Sequence, residues 1–313
     1  MAPVLDWSPN SLAKMRVRTV CHWCCLSLAL WLNAAESSGR AYRQELQKWR
    51  DGYTDSLKAE NGWVALAGLF WLKDGDNSFG AASTNSIVLP PGSAPDAAGS
   101  FVFHQGDTRL VVNAGAPILV NGKPASSPIT VKPDTSGEPD RITLNHLSMI
   151  VIRRGARYGI RLWDNHSPAR ANFPGTRWFP IKETYRVTAQ FTSYPQPKMI
   201  PILNILGDTE PNPSPGFATF ELEGKPCRLE PVLEGDQLFF MFKDATSGKQ
   251  TYPAGRFLYT ALPVNGKVVL DFNQSHNPPC AFTPYATCPL PPKQNHLSVA
   301  LKAGELYGGH RAL

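Results

Sequence analysis

The apolar residues of this chain arrive in short runs, each closed by a Gly, Pro, Asn or Asp turn, and that punctuation leaves little room for anything but a β fold. The runs Ser86–Leu89, Ser100–His104, Arg109–Val112, Pro117–Val120, Ile129–Val131, Arg141–Leu144, Met149–Arg153 and Tyr158–Trp163 are rich in Val, Ile, Leu and Phe. Turns such as Pro90-Pro-Gly, Gln105-Gly-Asp, Asn121-Gly122 and Ser136-Gly separate them. Regular short strands of this kind predict a β-sandwich over residues 73–166. Ser167–Pro180 reads as a crossover, and Asn204–Pro215 as a polar, proline-dotted loop inside a second β-rich unit, residues 167–313. The strands expected there are Tyr185–Thr192, Lys198–Ile205, Phe217–Leu222, Lys225–Pro231, Gln237–Lys243, Arg256–Ala261 and Lys267–Phe272.

Only Ala41–Lys58 has helical spacing, with Tyr42, Leu46, Trp49 and Tyr53 on one face and charges between them. Residues 36–72 are thus a helix and linker; Trp63–Leu72 is apolar, and Gly75 to Gly80 reads as a turn. The fold class expected is mainly β: an N-terminal β-sandwich, a C-terminal antiparallel sandwich or barrel, and one N-terminal helix.

Residues 1–35 have the grammar of a signal peptide: the basic Lys14-Met-Arg-Val-Arg18, the apolar Val20–Trp31, then small residues to Ala35. The start is Met1 or Met15, and the mature protein is expected to be secreted or periplasmic, with no membrane contact after cleavage. A retained single anchor is the other reading, for which the apolar run is short. Without those residues the charge falls from +6 to +4, as 28 basic against 24 acidic residues, and no basic run is left. That excludes a nucleic-acid partner. Oligomeric state is left open.

No Gly-x-Ser-x-Gly elbow, His-Glu-x-x-His, phosphate loop or dinucleotide fingerprint is present, which argues against the familiar hydrolase, zinc-protease, kinase and dehydrogenase classes, and no cofactor or standard metal module is expected. The polar residues concentrate in Thr251–Leu297, a block held by prolines that fix φ. Asp271 and Asn273, two apart at a strand end, share a face, and Asn277 follows; Asp271 is the candidate acid/base group and the two Asn candidate orienting groups. The other reading has them hydrogen-bonding the proline loop's backbone. Arg256 offers a fork for a carboxylate or phosphate, or pairs with Asp271. Thr251 and Tyr252 either donate hydroxyls to the same pocket or simply pack. Cys280 and Cys288 have four open readings: a disulfide, buried thiols, a nucleophilic Cys280 with His276 as base, or a metal site with His276 and His296. Arg154, Arg157 and Arg161 alternate along an aromatic-rich strand and form a cationic strip towards the other unit, read as salt-bridging ahead of substrate contact.

Thr251-Tyr-Pro-Ala-Gly-Arg256, Asp271-Phe-Asn273, Asn277-Pro-Pro-Cys280-Ala-Phe-Thr283, Tyr285-Ala-Thr-Cys-Pro-Leu-Pro-Pro292 and Asn295 resemble the signature of the domain of unknown function 1684 family. Gly62-Trp63 to Trp71, and Arg154 to Asp164, resemble its earlier segments, so the likeness spans roughly residues 42–307. It implies a shared fold and pocket and adds Tyr285 and Asn295 to the candidate ligand-binding set. The first half also has a faint look of a forkhead-associated sandwich, in Ser86-Ile-Val-Leu-Pro90 and Leu119-Val-Asn-Gly-Lys123, without that module's phosphothreonine-binding residues. The functions expected are an exported enzyme, hydrolytic or acid/base, acting on a small polar substrate through a polar C-terminal pocket, or a non-catalytic protein binding a small ligand or peptide end; a structural or interaction protein whose C-terminal block only pins strands together is the third reading.

Overall fold

The computed structural model describes residues 39–308; the signal-peptide reading of residues 1–35 lies outside the described residues. The first element is a helix over residues 39–58, α1, two residues longer at its start than the spacing predicts. Of the described residues, 51–308 form one compact unit. No helix among the described residues is long and apolar enough to cross a membrane.

The protein is mainly β, in several antiparallel sheets that do not close into a barrel. In the first half the strands are β1 Leu66–Trp71, β2 Gly75–Gly80, β3 Ile87–Val88, β4 Gly99–His104, β5 Asp107–Val112, β6 Ile118–Val120, β7 Lys123–Pro124, β8 Ile129–Thr130, β9 Ile142–Leu144, β10 Leu147–Arg154 and β11 Arg157–Asp164. They form a sheet ordered β1-β11-β10-β9-β6-β7 and another ordered β3-β2-β4-β5-β8. Alternate residues of both sheets meet in one core, with Phe79, Phe101, Leu110, Ile142, Leu144 and Ile160 fully buried. Each such side chain contributes about 1.5–3 kcal/mol by leaving water.

After a short helix, α2 (Pro168–Ala171), come β12 Arg186–Leu203, β13 Thr209–Leu222, β14 Lys225–Leu229, β15 Val232–Glu234, β16 Gln237–Phe242, β17 Arg256–Ala261 and β18 Lys267–Asp271. They make sheets ordered β14-β13-β12-β18 and β15-β16-β17. Leu238, Phe240 and Leu258 of one sheet meet Ala189, Phe220 and Leu270 of the other in a second core.

Two segments differ from expectation. Gly75–Gly80 is not a turn but strand β2, paired with β4 in the register Asn77 to Phe101. Its turn-like composition is overridden by context: Phe79 is fully buried, and the Asn77 amide donates to the carbonyls of Lys73, Gly75 and Phe101. Asn204–Pro215 is also mostly strand, because β13 starts at Thr209 and pairs with β12 through Pro213 and Pro211. Pro211, Pro213 and Pro215 alternate, so their missing N–H groups fall on one edge, away from β12. β14 pairs with β13 only from Ala218 onward, so nothing in the sheet needs those donors.

Candidate functional site

Strand β16, Gln-Leu-Phe-Phe-Met-Phe, is apolar on both faces. Side chains alternate in a strand, so Leu238, Phe240 and Phe242 enter the second core while Phe239 and Met241 point the other way. Phe257 and Tyr259 of β17 share that second face, with Ile202 from β12. These residues wall a cavity of about 540 Å³. Tyr53 and Leu57 of α1, Trp63, and Arg154 and Arg161 of the first sandwich complete it, together with Asn204, Glu210, Asn212 and Glu234. The C-terminal block supplies His276, Asn277, Pro279, Thr287, Cys288 and Pro289. The volume and the mixture of aromatic walls with a few polar groups are those of a small-molecule site.

Of the nine candidate site residues, Asn277 lines this cavity. Its backbone N–H donates to Glu305 Oε2 at 2.7 Å, its Nδ2 donates to the Leu306 carbonyl at 3.1 Å, and its carbonyl accepts from the Tyr53 hydroxyl at 3.1 Å. The others, apart from Tyr285, sit in internal networks. Asp271 caps the turn Phe272–Gln274, accepting from the Asn273 N–H at 3.1 Å. Asn273 is fully buried and bonds both backbone groups of Lys182. Asn295 is likewise buried, taking the Glu230 N–H and donating to the carbonyls of Glu230 and Met241. Thr251 shares a hydroxyl contact of 2.9 Å with Thr246, and the Tyr252 hydroxyl donates to the Cys280 carbonyl at 2.9 Å. Tyr285 is exposed.

Arg256 is paired, but with Asp244 at 2.8 Å and not with Asp271. The hairpin register decides this: Phe242 lies opposite Arg256, so Asp244 falls just beyond the strand end beside the guanidinium. The preceding Gly255 has φ +106°, and a Cβ there would lie 2.6 Å from both the Phe242 carbonyl oxygen and Pro291 Cγ. Gly255→Ala is therefore expected to cost at least about 2 kcal/mol, read as a lowered urea midpoint. A shift under about 0.5 kcal/mol would show that this turn relaxes freely.

Cys280 and Cys288 are neighbours and unbridged here; the Cys280 N–H donates to Cys288 Sγ at 3.2 Å. Their side-chain hydrogen bond lowers the Cys280 thiol and holds the Cys288 thiol up. Among the described residues no group of three or more His, Cys, Asp or Glu could hold a metal, so the His276, Cys280, Cys288 and His296 set is not assembled. His276 sits among Tyr53, Tyr259 and Phe257, with ring centroids at 4.8, 6.1 and 6.3 Å. Although it opens on the cavity, burial among these rings lowers its pKa to about 4, so the imidazole is neutral near pH 7. Glu305, under Asn277, is pushed the other way by burial, up to about 8.

The cationic strip divides. Arg157 forms an ion pair with Asp208, beyond β12. Arg154 pairs with Asp134 at 2.7 Å and donates to Thr287 Oγ1 at 3.1 Å. Arg161 has no carboxylate within ion-pair distance among the described residues, and its Nε is buried without a hydrogen-bond partner. Sequence reasoning passed over it in favour of Asp271. The signals that point to it are an Arg inside the apolar run Tyr-Gly-Ile-Arg-Leu-Trp and a strand, β16, whose second face needs a cover.

Fold and site together define a mainly β protein of two sandwiches with a ligand-sized cavity. The chain belongs to the family described as protein of unknown function (DUF1684), whose sequence model matches residues 171–306. An uncharacterised protein of Haloarcula marismortui, solved by solution NMR, is 31% identical over 46% of this chain and 83% of that chain, with a TM-score of 0.39. No curated protein matches the chain.

Proposed function

We propose that this chain is an exported small-ligand-binding protein, with the ligand in the cavity walled by β16 and β17. The cavity's lining supports this reading: Trp63, Phe239, Met241, Phe257 and Tyr259 offer apolar surface, while Arg161, Asn204 and His276 supply a few polar contacts. Binding is favoured over turnover by the state of the reactive groups. The Cys288 thiol at the wall is held up by Cys280, and Asp271 is engaged as a turn cap. The signal-peptide-like pattern of residues 14–35 supports export.

Native mass spectrometry of residues 36–313 incubated with pooled small metabolites tests the reading. The expected result is an added mass that vanishes on denaturation. Asn212→Trp, which puts an indole into the cavity from a partly exposed site, should abolish that mass while leaving the melting temperature nearly unchanged. Added mass that survives Asn212→Trp, or none with any pool, would refute the cavity as the site.

A further inference from the structure

Resting on that reading, we infer that the cavity selects ligands with an anionic head group on a flat apolar body, the head seated on Arg161. Two buried arginines make the contrast. Arg256 is fully buried and carries Asp244 at 2.8 Å. Arg161 is 7% exposed, lines the cavity, and among the described residues has aromatic rings and no carboxylate within ion-pair distance of its charge: Trp63 lies at 5.2 Å and Trp163 at 6.0 Å. Cation–π contact offsets part of the lost hydration but satisfies no N–H. A buried guanidinium is normally matched by an acceptor. The acids around the cavity do not serve. Glu210 accepts the Gly155 N–H at 2.9 Å, Glu234 sits exposed with the Tyr259 hydroxyl at 3.2 Å, and Asp134 is taken by Arg154. What Arg161 lacks is therefore something a ligand brings, and a carboxylate or sulfonate fits a guanidinium fork with two parallel hydrogen bonds. Phe239 and Tyr259, stacked on each other with centroids 4.5 Å apart, line the same cavity and offer aromatic surface to the rest of the ligand.

A matched pair of fluorescent probes tests this: anilinonaphthalene sulfonate, and phenylnaphthylamine, which has the same ring system without the charge. The expected result is that the wild-type protein binds the sulfonate at least about 10-fold more tightly, the size of one charge-assisted contact. Arg161→Met, which keeps the packed stem, should erase that preference and change the neutral probe's affinity by less than about 3-fold. Equal affinities in the wild type would overturn the anionic assignment and leave the cavity as a neutral ligand site. Binding of neither probe would overturn the cavity reading itself. A preference that survives Arg161→Met, or sulfonate binding that survives Asn212→Trp, would place the anion elsewhere on this cationic surface and refute the inference. Should Arg161→Met fail to fold, the wild-type ratio together with Asn212→Trp still decides.

Discussion

Asp244→Ala is expected to lower the unfolding free energy by about 3–5 kcal/mol, the range for leaving a buried charge without its partner. Both side chains of the Asp244–Arg256 pair are fully buried. Asp244 also accepts from the Thr246 N–H at 2.8 Å, the Thr246 hydroxyl at 2.6 Å and the Leu301 N–H at 3.1 Å. Arg256 in turn donates to the carbonyls of Leu301 and Ala303. The pair therefore ties the β16–β17 hairpin to residues 301–303 of the C-terminal tail, a stretch with no strand partners of its own. Burial already pulls the Arg256 pKa down against the pull of Asp244, so removing the carboxylate exposes the whole desolvation cost. Asp244→Leu combined with Arg256→Met should cost less than Asp244→Ala alone, since no orphaned charge remains. Urea unfolding of the three proteins measures this; a loss under about 1 kcal/mol for Asp244→Ala would show that water reaches Arg256.

The second large effect is a decline in stability on the alkaline side of neutrality. Glu305 has its pKa raised from 4.5 to about 8, so the native state holds a proton that the unfolded chain has released. Stability from this group is fully present below about 4.5 and is lost as pH rises through about 8. His276 works in the opposite sense: its pKa is lowered from 6.5 to about 4, so its contribution is present above 6.5 and lost as pH falls towards 4. Between about 4.5 and 6.5 the two slopes oppose each other, and above 6.5 the His276 slope fades while that of Glu305 continues. The wild-type protein is expected to lose about 1 kcal/mol between pH 6.5 and 8, and Glu305→Gln to lose none of it. Urea midpoints at the two pH values check this. A decline of the same size in Glu305→Gln would assign the proton to another group.

The positions of most strands along the chain were legible because their causes are local. Period-two alternation and turn residues place β4, β5, β10, β11, β16 and β17 to within a residue or two, and the 3.6-residue spacing of Tyr42, Leu46, Trp49 and Tyr53 marks α1. β2 and the start of β13 were hidden for an equally physical reason. Their Gly, Asn and Pro residues carry turn propensity, and only pairing with β4 and β12 shows them to be strands.

The candidate site was legible as a region more than as a set of groups. The Thr251–Leu297 block does reach the cavity, but through His276, Asn277, Pro279, Thr287, Cys288 and Pro289; most of its Asp, Asn and Arg residues fasten strands and turns. By itself the sequence determined the β class, the helix, the turns and the family, because each rests on neighbours a few residues away. Tertiary structure decided which charges are spent and which are kept. Arg157 and Arg161 lie four apart on one strand and look alike in sequence, yet Arg157 meets Asp208 while Arg161, with no carboxylate within ion-pair distance among the described residues, lies against Trp63, Trp163 and a cavity. Coulombic pairing acts over a few ångströms, and which acid comes that close is fixed by how distant strands pack.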